Sequence, residues 1–218
     1  MKVIAVNVGL PREVVWRGRT VRTSIFKEPV AGPILVERLN LAGDRQSDLT
    51  VHGGAKKAVY VYPAEHYGFW RQKLGITHLP WGTFGENLTT EGLDEATVQI
   101  GDRLKIGTAS FIVTQPRMPC YKLALRFDRL EMVKLFLESG RTGFYLSVIQ
   151  EGQLRAEDTI NLEREAEPTL AVADIVALYA QDAANQELLR RAIQVSALPE
   201  AWREYFRERL WEPDSTEK

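Results

Sequence analysis

Residues 1–40 break into short β-prone runs separated by turn formers, and this limits the fold more than any other feature. Lys2 to Val8 alternates in the manner of a strand. Gly9-Leu10-Pro11 turns it. Val14 to Arg17 and Val21 to Phe26 are further strand candidates, joined through Arg17-Gly18-Arg19. Glu28-Pro29 to Gly32-Pro33 is a loop, and Ile34 to Leu39 is another strand. Strands this close together leave no room for crossover helices, so the pattern predicts a β-rich barrel rather than a βαβ array.

The rest of the chain adds loops and helices to that frame. Gly43-Asp44-Arg45 through His52-Gly53-Gly54 is a polar loop whose glycines permit close backbone approach to a ligand. Lys56 and Lys57 precede a strand from Ala58 to Tyr62. Pro63 is suited to open a helix to Leu74, with Tyr67, Trp70 and Leu74 inward. Pro80 to Gly92 is a second glycine-rich loop, carrying Glu86 and Asn87. Thr97 to Ile100, Gly101-Asp102 and Arg103 to Ile106 read as strand, turn, strand. Phe111 to Thr114 is a strand that Pro116 ends. Tyr121 to Arg126 reads as a short helix and Leu130 to Leu137 as an amphipathic one. Gly143 to Ile149, Gln153 to Arg155 and Ile160 to Leu162 are strands. After Glu163 a charged linker runs to Pro168. Beyond it, Val172, Ile175, Val176 and Tyr179 recur at helical spacing. Leu188, Leu189, Ala192 and Ile193 mark a second helix, and Pro199 to Trp211 a third. The expected division is a β-rich domain over residues 1–163 and a three-helix domain over 168–212. Three short helices are too small for a strong core of their own, so they should pack on the barrel or on a partner.

Charge and residue inventory narrow the chemistry. The net charge of −1 gives no field for a nucleic-acid polymer or a membrane surface, and the cytoplasm is the default location. One cysteine excludes an internal disulfide framework, and without CxxC or HxxxH spacing the three histidines suggest no structural zinc site. No phosphate-loop glycine motif is present. A lone cysteine is usually a small buried hydrophobe. Cys120, however, follows Pro116 and Pro119 and opens a helix, with Arg117 and Lys122 close by. Those neighbours should lower its pKa, and a thiolate attacks electrophiles or binds soft metals. A hydrolase with Cys120 as nucleophile and His52 as base remains open at this point. The three loops together offer backbone N–H groups, a carboxylate, an amide, cations and one thiolate. That set suits an anionic, polar, heterocyclic cofactor carrying a soft metal.

Several segments carry a family resemblance. They are Gly43-Asp44 with Asp48, Val51-His-Gly-Gly54 with Lys57-Ala58, Tyr62-Pro63, Phe84-Gly-Glu-Asn-Leu-Thr-Thr-Glu-Gly-Leu93, Ile100-Gly-Asp102 and Gln115-Pro-Arg-Met-Pro-Cys-Tyr-Lys-Leu123. In this order they resemble the MOSC family, the molybdenum-cofactor sulfurase C-terminal domains, in its bacterial YiiM-like branch. The resemblance covers residues 1–163, and the helices after it look like the small three-helix domain of that branch. Ala156-Glu157-Asp158 departs from the Gly-Asp of many relatives, at a turn.

The resemblance implies a closed or nearly closed β-barrel with peripheral helices. It implies a molybdenum cofactor of the molybdopterin type, with Cys120 as the protein ligand to molybdenum. On that basis Arg117 and Lys57 are candidates for pairing with the pterin phosphate, with Gly53 and Gly54 beside them. Glu86 and Asn87 could read the pterin's amide and amino groups. His52 could orient the site or donate a proton, and Tyr121 and Trp81 could line a substrate pocket. The implied activity is reduction of small N-hydroxylated compounds such as hydroxylaminopurine and amidoximes, with electrons from a separate flavoprotein. The three-helix domain could serve a homodimer or dock that donor. The alternative is a carrier of sulfur or of the cofactor on Cys120, without its own redox turnover.

Overall fold

The protein is described by a computed structural model covering residues 1–47, 53–164, 170–180 and 185–210. In chain order the strands are β1 (Lys2–Val8), β2 (Arg12–Trp16), β3 (Arg19–Thr23), β4 (Glu28–Pro29), β5 (Ile34–Val36), β6 (Val59–Pro63), β7 (Leu88–Glu91), β8 (Arg103–Ile106), β9 (Ala109–Pro116), β10 (Phe144–Gln150), β11 (Gly152–Leu154) and β12 (Ile160–Glu163). The helices are α1 (His66–Leu74), α2 (Tyr121–Phe127), α3 (Met132–Glu138), α4 (Val172–Ala180), α5 (Gln186–Gln194) and α6 (Glu200–Leu210).

The main sheet has eight strands in the order β12-β8-β9-β10-β6-β7-β1-β4, antiparallel except where β6 runs parallel to β7. Its ends meet. Val3 N–H donates to Asp158 O at 3.0 Å, Ile160 N–H to Met1 O at 3.0 Å, and Lys2 bridges Thr159. These bonds join β1 to the start of β12 and close the sheet into a barrel, which removes its exposed edges. The other end of β1 pairs with β4 through Asn7 and Val8. A register shift between Val3 and Ala5 rephases β1, so Val3 and Val6 both reach the core despite opposite parity. The hairpin β2–β3 and the pair β5–β11 lie outside the barrel sheet.

Two apolar clusters form. Val59, Val61, Phe111, Val113, Phe144 and Leu146 fill the barrel, and this core runs on into Ile175, Leu178, Leu189 and Phe206 of the C-terminal helices. The three helices therefore pack on the barrel, one of the two placements expected from their small size. The second cluster lies under α1, α2 and α3 and is aromatic, with Tyr60, Tyr62, Tyr67, Trp70, Phe84 and Phe136. Strand β6 separates the two. Odd residues Val59 and Val61 point into the barrel and even residues Tyr60 and Tyr62 point out, so all five of its residues are buried.

Two sequence expectations are corrected. Pro63 does not open α1. It pairs with Thr90 at the end of β6, and Ala64 N–H extends the pairing to Thr90 O at 2.7 Å, so the helix starts only at His66. Thr97 to Ile100 is not a strand. Asp94 Oδ1 accepts from the Ala96 and Thr97 N–H groups at 2.9 and 2.8 Å, which winds the segment into a turn. Trp211, expected to end the third helix, lies outside the described residues. Among the described residues no helix is long and apolar enough to cross a membrane.

Candidate functional site

The outward residues of β6 and β10 make the floor of a pocket. Tyr60 and Tyr145 are cross-strand partners, with ring centroids 5.2 Å apart. The segment after β9 crosses above them. Pro116 is the last paired residue of that strand, opposite Phe144, and Arg117 N–H then bonds Gly143 O at 3.2 Å. The chain reaches Cys120 in an extended conformation, φ −133° and ψ 174°, and α2 begins at the next residue. Cys120 O accepts from Leu123 N–H at 2.9 Å. Cys120 is the N-cap residue, as its place before a short helix predicted, and it is partly accessible.

The pocket is a cleft partly open to solvent. Cys120 shares its wall with Lys27, Arg45, Lys57, Arg117 and Lys122, which makes the lining strongly cationic. Arg117 is the most constrained of these. It is 6% exposed, and its guanidinium lies over the rings of Tyr60 at 5.0 Å and Phe136 at 5.3 Å. Burial disfavours the cation, but Tyr60, Tyr145 and Cys120 around it outweigh that and raise its pKa. Its Nη1 is buried and has no hydrogen-bond partner among the described residues. Lys122 Nζ donates to Ser47 Oγ at 3.2 Å. Burial lowers the pKa of Lys57.

Asp44 is the one carboxylate of the lining among the described residues, and both its oxygens are bonded within the protein. Oδ1 accepts from Gly9 N–H at 2.9 Å and pairs with Lys27, and Oδ2 accepts from Asn87 Nδ2 at 2.9 Å. Burial lowers the pKa of Lys27, and the charge of Asp44 opposes that shift. Asn87 is equally committed. Its Oδ1 takes Tyr60 N–H at 3.1 Å, so one side chain ties β6 to the Asp44 loop. Gly82, in the same glycine-rich segment, has φ +83° and lies against Lys27, where a Cβ would stand 2.7 Å from the Lys27 carbonyl oxygen. Only glycine allows that approach.

Of the residues singled out from sequence, Cys120, Arg117, Lys57 and Asn87 come together at this pocket. Gly54 has φ +93° and its carbonyl accepts from Lys57 N–H at 2.9 Å, so Gly53 and Gly54 lead into the single 3-10 turn, Ala55–Lys57, that presents Lys57. Glu86 does not face the pocket. It is fully buried, with Oε1 accepting from Tyr67 OH, Gly82 N–H and Thr89 Oγ1 and Oε2 from Phe84 N–H. It holds its own loop shut. Tyr121 is half exposed and stacks on Trp16, and Trp81 packs edge-on against Tyr67 at 4.4 Å, so neither lines the pocket. His52, Asp48 and Val51 lie outside the described residues. Sequence reasoning gave no role to Lys27, Asp44, Tyr60 or Tyr145. The alternation Val59-Tyr60-Val61-Tyr62 was a signal for Tyr60, because it sets both tyrosines on one face of the strand.

Comparison with known proteins agrees with this picture. A sequence model of the MOSC domain matches residues 48–161, and one of the YiiM-like 3-alpha helix domain matches residues 171–211. The uncharacterized protein YflK of Bacillus subtilis is 40% identical over 94% of this chain and 92% of its own length. A protein called reductase from Gibberella moniliformis is 31% identical over 72% of this chain but only 28% of its own length. The crystal structure of YiiM from Geobacillus stearothermophilus superposes with a TM-score of 0.81 at 33% identity, over 96% of this chain and 98% of that one. The chain belongs to the MOSC domain family, in the YiiM-like branch whose barrel is followed by three helices.

Proposed function

We propose that this chain binds a molybdenum cofactor and reduces small N-hydroxylated compounds, with Cys120 as the protein ligand to molybdenum. The observation that carries the reading is the pairing of Cys120 with Arg117 in one pocket. A thiol suits a soft metal, and a buried guanidinium with an unpartnered Nη1 suits an anionic group beside it. The donor set fits such a cofactor: one thiol, a ring of cations for a phosphate, and a carboxylate already neutralised by Lys27 and therefore no obstacle to an anion. The relative named reductase supports redox chemistry in this family.

When bound, the cofactor supplies the two electrons that break the N–O bond. Overall, R–NHOH takes up two electrons and two protons and leaves as R–NH2 and water. The protein's own residues bind and orient. Arg117, Lys57 and Lys122 would hold the anionic end, Cys120 would be the ligand to the metal, and Tyr60 and Tyr145 wall the floor. His52 is the proposed proton donor at nitrogen. A separate flavoprotein is the proposed source of electrons.

The test is molybdenum content and pterin fluorescence after mild purification from a cofactor-competent host, for wild type and Cys120→Ser. Near-stoichiometric molybdenum in the wild type, lost in the variant, is expected. No molybdenum in either, with cyanide-releasable sulfur on Cys120, overturns the reductase reading in favour of a sulfur carrier.

A further inference from the structure

Among the described residues, hydrogen bonds at Trp202 and at Ala197 lead from the three-helix domain towards the pocket. Trp202 Nε1, on α6, donates to Gln115 Oε1 at 2.9 Å. Gln115 Nε2 donates to Lys56 O at 3.2 Å, and Thr114 Oγ1 lies 2.7 Å from the same carbonyl. Lys56 Nζ in turn donates to Ala197 O, in the segment between α5 and α6, at 3.3 Å. Lys56 is therefore held at its carbonyl by Thr114 and Gln115 of β9 and at its ammonium by the segment between α5 and α6. The next residue is Lys57, which faces the pocket, and Lys57 O is held from the opposite side by Gln46 Nε2 at 3.1 Å. Gln115 also sits two residues before Arg117. One buried amide thus links α6 to the Lys56–Lys57 turn.

We infer that Trp202 is a positioning residue, and that the three-helix domain serves as the back wall of the site by setting the Lys56–Lys57 turn through Gln115. The turn needs such support. It is a single 3-10 turn entered through Gly54 in a conformation only glycine adopts readily, so its own backbone holds it weakly. A bond that orients a residue in contact with a ligand, while touching no ligand itself, has a leverage on affinity well above its share of the stability.

The experiment compares wild type with Trp202→Phe and Tyr205→Phe. Phenylalanine at 202 keeps the ring packing against Tyr179 and Phe206 and removes only the N–H. Tyr205→Phe removes a hydroxyl that bonds Arg209 within the same domain and leaves the Trp202 N–H and its bond to Gln115 in place. Exchange of the Lys57 amide, which is bonded to Gly54 O, is followed by hydrogen–deuterium exchange. Trp202→Phe is expected to speed it about tenfold, with β10 amides and Tyr205→Phe unaffected. Unchanged Lys57 exchange in Trp202→Phe overturns the inference, as does equal acceleration in Tyr205→Phe. A second arm rests on the proposed anion site: the dissociation constant for inorganic phosphate should rise about tenfold in Trp202→Phe alone. Faster exchange with unchanged phosphate affinity overturns the positioning role. Absence of phosphate binding in the wild type removes the anion reading, while the exchange arm still decides whether Trp202 sets the turn.

Discussion

Asn87 Nδ2 donates to Asp44 Oδ2 at 2.9 Å, and through this bond the glycine-rich loop before β7 sets the charge balance of the pocket. Asp44 would otherwise present a free oxygen to any anion entering. With Asn87 on one oxygen and Lys27 and Gly9 on the other, its charge is paired and both oxygens carry protein donors. Asn87→Ala should cost about 1.5–3 kcal/mol, the range for a hydrogen bond to a charged group. Asn87→Asp should cost more, because it sets two carboxylates side by side in a buried place. Denaturant unfolding of the three proteins gives the order. Equal stability of Ala and Asp variants would mean that Asp44 finds another donor.

Arg117 is proposed to bind the anionic end of a ligand. Its unpartnered Nη1 contributes little to the ligand-free fold, so Arg117→Met should lower stability by no more than about 1–2 kcal/mol, chiefly the lost stacking on Tyr60 and Phe136. The effect on an anion should be larger. Loss of one charge-assisted hydrogen bond weakens phosphate binding about tenfold or more. Isothermal titration with inorganic phosphate, beside a thermal melt, separates the two. A large drop in stability with unchanged affinity would make Arg117 a structural residue.

Lys57 gives the site a pH dependence. Only the ammonium form attracts an anion. Burial lowers the pKa of Lys57, so the free site loses this charge at a lower pH than an exposed lysine, whose pKa is about 10.4. Phosphate affinity should therefore decline on the alkaline side before that point. Lys57→Met should bind more weakly at neutral pH and lose this part of the decline. Titrations from neutral to alkaline pH on both proteins check it, and parallel profiles would exclude Lys57 from the site.

The barrel and the cysteine loop were legible because each rests on local rules. Short β-prone runs, turn glycines and Pro116 act within a few residues of where they stand. Of the residues singled out by motif, Cys120, Arg117, Lys57 and Asn87 fall in one pocket. The site was illegible where partners come from distant segments. Lys27 and Asp44 meet across β4 and β5, and nothing near either residue announces the pair. Pro63 was misread because its local preference for a helix start yielded to pairing with Thr90, which lies in a different part of the chain. Thr97 to Ile100 was misread because one side chain, Asp94, captured two backbone N–H groups that a strand would have used.

Glu86 is the case in which residue type suggested one role and geometry assigns another. A carboxylate in a glycine-rich loop invites a ligand, yet this one is fully buried and its oxygens are met by Tyr67 OH, the Gly82 and Phe84 N–H groups and Thr89 Oγ1. Those N–H groups can only donate. In Glu86→Gln the amide nitrogen would face a donor wherever it is placed, and one buried donor would be left unpaired. That should destabilise the protein by about 1–3 kcal/mol. Phosphate affinity, measured well below the unfolding transition, should stay within about twofold of wild type, since Glu86 touches nothing that the ligand touches. Tyr67→Phe should reproduce part of the stability loss by removing the hydroxyl that Glu86 accepts. A variant Glu86→Gln that keeps its stability but binds phosphate differently would return Glu86 to the pocket and reverse the assignment made from its hydrogen bonds.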